Sequence, residues 1–257
     1  MVFTVVHFAN VSHATEVVPP ATRRSKRRKE TTQRILNAAM KLMTEHGYEA
    51  FTIARLAGDL GYAVGALYRY FKGKDAILAA LQRQVVDVIR DDLTLSGEAT
   101  DDALTGSDPD RFSALLHIVT GIGTYESLTR RRPTHYRLLA LSLGDPRELL
   151  ADEMVDAGIL HPLQDVLAAV AARVVRAQEV GAIDQGDPMQ RTIVAWGAIQ
   201  GVMQLRKLGR FDARLRSREL TDLLLGSLLI GWGADPAVVQ TLPARAEPIL
   251  DGLPHSD

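Results

Sequence analysis

The sequence predicts an all-helical chain with a small N-terminal domain and a larger helical body. Three observations carry that prediction. The chain of 257 residues is 46 % hydrophobic but only 5 % aromatic, and it is rich in Ala and Leu, which favour helix packed on helix. Apolar residues recur at helical spacing over most of its length. Residues 49–70 read as two short helices around a glycine, each too short to be stable alone, as in a helix-turn-helix.

Composition narrows the function classes. The chain has no cysteine, which excludes disulfides and thiolate chemistry and suits a reducing cytoplasm. No apolar run reaches the roughly 20 residues of a membrane span, and the first 20 residues lack the basic start of a secretory signal. A net charge of −1 hides an asymmetry: residues 22–75 carry 12 Lys+Arg against 5 Asp+Glu, leaving an acidic remainder. Only the basic end is suited to a polyanion. No H-E-x-x-H, P-loop or G-x-S-x-G occurs, and Gly121-Ile-Gly123 lies in a helical pattern rather than after a strand. Catalysis, a metal and a cofactor are therefore not expected.

Residues 1–22 have no helical period and end at Pro19-Pro20, so they are expected to be a disordered arm or residues from an upstream start codon. Six of the seven residues 23–29 are basic, a density that suits a phosphate backbone. An amphipathic helix is expected over 31–46, with Ile35, Leu36, Ala39, Met40, Leu42 and Met43 as its buried stripe and Gly47 as its stop. The second helix, ending at Gly61, has Ile53, Leu56, Ala57 and Leu60 on one face and Thr52 as its cap. The third is expected over 63–70, with Leu67 and Phe71 closing the core.

HGYEAFTIARLAGDLGYAVGALYRYFKGKDAIL resembles the DNA-binding region of the TetR/AcrR family of bacterial regulators over about residues 29–80. Gly-x-Leu-Tyr-Arg-Tyr-Phe-Lys-x-Lys-Asp is the most specific part. The resemblance implies a helix-turn-helix DNA-binding domain over 23–75, then a helical effector-binding and dimerisation domain over 76–235. Two subunits would read a palindromic double-stranded DNA operator in the cytoplasm, with a small molecule as effector and no membrane partner. It puts Gly65 where backbone approaches DNA, Tyr68, Tyr70 and Lys74 on phosphates, Arg69 near base edges or phosphate, and Thr52 at a cap that also touches backbone. Arg55, Val64 and Ala66 complete the expected DNA-facing set. Where the family commonly has polar residues this chain has Ala54, Ala63, Val64 and Ala66, which leave few donors for base edges but can touch thymine methyls. A head that has lost specific base reading, serving protein interaction or nonspecific DNA coating, is the alternative.

Beyond the head, one long helix is expected over 74–95, followed by an acidic loop over 96–110. Further helices are expected over 110–131, 134–143, about 146–157, 162–180, 188–208 and 217–232. The last two are apolar on most sides, which points either to burial within one subunit or to a homodimer face, and Gly197 and Gly201 would let a partner helix come close. The tail 236–257, with four prolines, is expected to be flexible. Polar residues within apolar helix faces, His117, Tyr125, Tyr136, Trp196 and Gln200, are the candidate lining of an effector pocket, each with a core or interface role as the alternative.

Overall fold

The computed structural model describes residues 23–47, 50–106, 108–143 and 160–254; side chains are described for all of these except 140–143, 160 and 161. The arm 1–22 and the helix expected over 146–157 lie outside them. Every described element is helical. Helix α1 runs Arg23–His46, α2 Ile53–Leu60, α3 Val64–Leu67, α4 Lys74–Ala103, α5 Asp110–Arg131 and α6 Pro133–Leu143. Then come α7 Leu160–Glu179, α8 Pro188–Gln204, two 3-10 turns at Arg206–Arg210 and Ala213–Leu215, α9 Ser217–Gly231, α10 Pro236–Val239 and α11 Leu242–Asp251. Among the described residues no helix is long and apolar enough to cross a membrane.

The head packs α1, α2 and α3 around Ile35, Met43, Phe51, Leu56 and Leu67, each almost wholly buried. Thr52 begins α2 in extended backbone, and its hydroxyl accepts the Arg55 N–H at 3.2 Å. Gly61 ends α2 at φ +67°, a left-handed conformation that a side chain would strain, and the next N–H, of Tyr62, closes on the Ala57 carbonyl at 2.9 Å. The head does not end at residue 75. Ile77, Leu81 and Val85 of α4 and Leu138 of α6 belong to the same apolar cluster, so the domain boundary expected at 75/76 falls inside a continuous helix.

Helix α5 is the body's axis: fifteen of its residues are buried, including every one from Ile118 to Leu128. A helix buried on all sides needs neighbours all round, and α4, α6, α7, α8, α9 and α11 supply them.

Three further expectations are corrected. Helix α1 starts at Arg23, so the basic run lies in its first two turns rather than ahead of it. Helix α4 runs on to Ala103, through the segment expected as a loop. Its Ser96 and Thr100 are buried, satisfy their hydroxyls on the Leu93 and Ser96 carbonyls, and Thr100 meets Thr120 of α5 at 2.9 Å. For Ser96 and Thr100, polarity marks a hydrogen-bonded buried position rather than a loop, while Glu98, Asp101 and Asp102 on the same helix face solvent. The tail expected to be flexible forms α10 and α11, which bury Val239, Leu242, Ala246, Ile249 and Leu250. Pro236 and Pro243 stand in first turns, where the missing N–H costs nothing.

Candidate DNA-binding head and ligand cavity

On the head, Thr52, Arg55, Val64, Gly65, Tyr68 and Arg69 are exposed, and Ala66, Tyr70 and Lys74 are half-buried. Helix α3 is shorter than expected, four residues continued by turns in which the Tyr70 and Phe71 N–H groups both reach the Leu67 carbonyl. Ala63 caps it with backbone alone. At Gly65 nothing lies within 4 Å of where a Cβ would stand, so the backbone there is open to a close approach. Lys74, first residue of α4, holds its ammonium 5.6 Å from the Phe51 ring centre.

The first turns of α1 are fastened to this surface, which charge counting alone did not reveal. The Arg28 guanidinium donates to the Arg69 carbonyl at 3.4 Å and lies 5.5 Å above the Tyr70 ring. Arg23, Arg24, Arg27, Arg28 and Arg69 line one groove with Thr31 and Tyr70. The signal was present in the sequence: no proline or glycine separates the basic run from the helix behind it.

In the body, described residues of α4 to α8 line a cavity of about 120 Å³. Of the five residues expected to line a pocket, Tyr125 and Trp196 do. The other three lie outside its wall. Gln200 stands behind it and accepts the Tyr125 hydroxyl at 2.6 Å. His117 faces Asp101 on α4 at 3.1 Å. The Tyr136 hydroxyl donates to the Met203 carbonyl at 3.3 Å and accepts from Arg206 at 3.0 Å, under a guanidinium 4.7 Å from its ring. Burial raises the Tyr125 hydroxyl well above its ordinary pKa, so it stays protonated. Val85 and Leu138 line the cavity and also sit in the head's core, so one wall is common to both.

Two buried ionic groups tie the body together. Asp92, fully buried on α4, accepts from Arg131 at 2.9 Å and from two nitrogens of Arg132 at 3.0 and 3.1 Å. Arg131 also reaches Ser127 and the Pro254 carbonyl. Arg173 of α7 crosses to α4 and α5, donating to the Leu93 and His117 carbonyls at 2.8 Å each. Gly97 and Gly121 leave room for its guanidinium. Burial lowers its pKa to about 10. Among the described residues no three His, Asp or Glu side chains are grouped to hold a metal ion.

Comparison with known proteins agrees with this architecture. Residues 35–81 match the model for bacterial regulatory proteins of the tetR family. The transcriptional repressor AcnR of Corynebacterium efficiens is 34 % identical over 85 residues, 32 % of this chain and 44 % of AcnR. The transcriptional regulator HbdR of Aromatoleum is 34 % identical over 64 residues, 25 % of this chain and 28 % of HbdR. The matches thus span less than half the length of these relatives. Among solved structures, SmeT, the repressor of the Stenotrophomonas maltophilia multidrug efflux pump SmeDEF, aligns over 82 % of this chain and 94 % of its own, with a TM-score of 0.57 and 20 % identity. RolR, solved with resorcinol bound, aligns over 86 % of this chain and 97 % of its own, with a TM-score of 0.53 and 16 % identity. At such identities the likeness is one of fold. The chain thus carries a head, residues 35–81, that matches the tetR family of bacterial regulatory proteins, and its described body shares the fold of these solved structures.

Proposed function

We propose that this protein is a ligand-responsive, non-catalytic transcriptional repressor that binds a palindromic operator as a homodimer in the bacterial cytoplasm. The observation that carries the ligand response is the shared wall: Val85 and Leu138 face the body cavity and belong to the head's core. A molecule that spreads this wall must also move α4 and α6 against α1, because packed interiors transmit displacement rather than absorb it. Coupling of about 1–3 kcal/mol would change DNA affinity about 5–150-fold.

In the complex, α3 of each subunit enters a major groove, the two roughly 34–36 Å apart. Thr52, Arg55, Tyr68, Tyr70 and Lys74 take phosphates, Arg69 takes base edge or phosphate, and Val64, Gly65 and Ala66 meet the bases at close range. The basic turns of α1 add phosphate contacts beside Arg69. The partner subunit would cover α8 and α9, where Ile193, Val194, Leu223 and Ile230 are exposed and the space beside Gly197 and Gly201 is open. Exposed apolar patches of this kind mark interaction surfaces.

A competition gel shift tests the reading, using DNA flanking the protein's own coding sequence against scrambled competitor over a salt titration. The repressor reading predicts preference for the flanking DNA at about 150 mM salt. Equal competition by scrambled DNA at every salt concentration would reject specific reading and leave a DNA-coating head.

A further inference from the structure

The cavity's chemistry restricts what it can hold, on the reading that it is the effector site. None of its eighteen described lining residues is charged. The polar ones have mostly turned their donors elsewhere. Thr124 donates to the Thr120 carbonyl at 2.7 Å and Thr192 to the Pro188 carbonyl at 2.8 Å. The Tyr125 hydroxyl donates to Gln200, and the Trp196 indole lies beside that hydroxyl. The remaining one, Gln82, is neutral.

One buried cation, Arg173, stands behind Gly121 of the wall, and its guanidinium holds the Leu93 and His117 carbonyls. Arg173 is not among the described lining residues, so a ligand carboxylate in the cavity would not face it directly. A ligand ammonium would find no carboxylate among the described lining residues, and an ion taken from water without a partner is strongly disfavoured. The volume, about 120 Å³, is of the order of the ~150 Å³ apolar cavities that admit benzene.

We propose that this cavity takes an uncharged apolar molecule about the size of one substituted aromatic ring and rejects anions and cations of the same shape. The test uses the full chain at pH 7 with toluene, benzoate and benzylamine, which share a ring and differ in one group. Trp196 in the wall reports binding by fluorescence, and Trp232→Phe removes the other indole, which lies near Arg191 and outside the wall. Toluene should bind saturably and raise Tm, with benzoate and benzylamine more than tenfold weaker. Val170→Phe, which fills the cavity, should abolish toluene binding; if that variant does not fold, Leu163→Phe from the half-buried wall gives the same readout. Absence of toluene binding, its survival in the folded filled variant, or either charged probe within tenfold of toluene would overturn the proposal. Toluene that binds as expected yet leaves DNA affinity unchanged would instead reject the effector reading and keep the ligand class.

Discussion

Replacing Asp92 by alanine tests whether α4, α5 and α6 are held as one unit. The carboxylate is fully buried and is the anion for Arg131, whose side chain is 1 % exposed, and for Arg132, whose side chain is 14 % exposed. Asp92→Ala leaves two guanidinium groups in the interior without it. Breaking a buried pair by removing one partner costs about 3–5 kcal/mol, because the remaining charge stays desolvated. For a chain of this size each kcal/mol lowers Tm by about 2–4 °C, so the expected loss is about 6–20 °C. Thermal unfolding followed by far-UV circular dichroism measures it, at fixed protein concentration because dimerisation would shift Tm. The rescue is diagnostic. Asp92→Leu combined with Arg131→Met removes both buried charges, and Arg132 can turn toward water, so most of the lost stability should return. A single-variant loss below about 3 °C, or a double variant no better than Asp92→Ala, would refute the account of this cluster.

Other substitutions address the head, the interface and pH. Lys74→Ala and Tyr68→Phe should weaken binding to all DNA sequences alike in anisotropy titrations, and Lys74→Ala should flatten the salt slope by about one unit. Leu223→Glu with Val194→Glu, both at exposed positions, should give a folded monomer in analytical ultracentrifugation; an unchanged dimer would move the interface elsewhere. His117 has a folded pKa below its ordinary 6.5, because burial disfavours the imidazolium more than Asp101 supports it and Arg173 adds repulsion. The unfolded chain therefore takes the proton first, and the stabilisation present above about pH 6.5 is lost as pH falls through the folded pKa. His117→Gln should show a shallower fall in Tm between about pH 7 and 5 than the parent, and identical slopes would remove His117 as a cause.

Features set by neighbours in the chain were legible before the structure. The Thr52 cap, the Gly61 stop and the stripe from Ile35 to Met43 depend on local backbone chemistry and helical period, and each stands where its residues predict. Features decided by distant partners were not. The segment 96–103 looks like a loop until Thr120 supplies a partner for Thr100, and Arg173 comes from another helix to bond the Leu93 carbonyl. Leu242, Ala246, Ile249 and Leu250 do carry helical spacing, but their prolines masked it. The cavity was half legible. Tyr125 and Trp196 face it, whereas His117 and Tyr136 turn to Asp101 and Arg206, because a helix's rotation against its neighbours is not written in its own period. The alanines around α3 remain as bare in space as in sequence: Ala63 has no side-chain cap bond.

The central claim is that the cavity and the core of the candidate DNA-binding head share one wall through Val85 and Leu138. It is tested most directly by measuring toluene affinity, through Trp196 fluorescence, with the protein free and saturated with the DNA fragment that wins the competition assay. Linkage makes the effect reciprocal, so the account predicts toluene binding about 5–150-fold weaker on DNA. Equal affinities in the two states would contradict it.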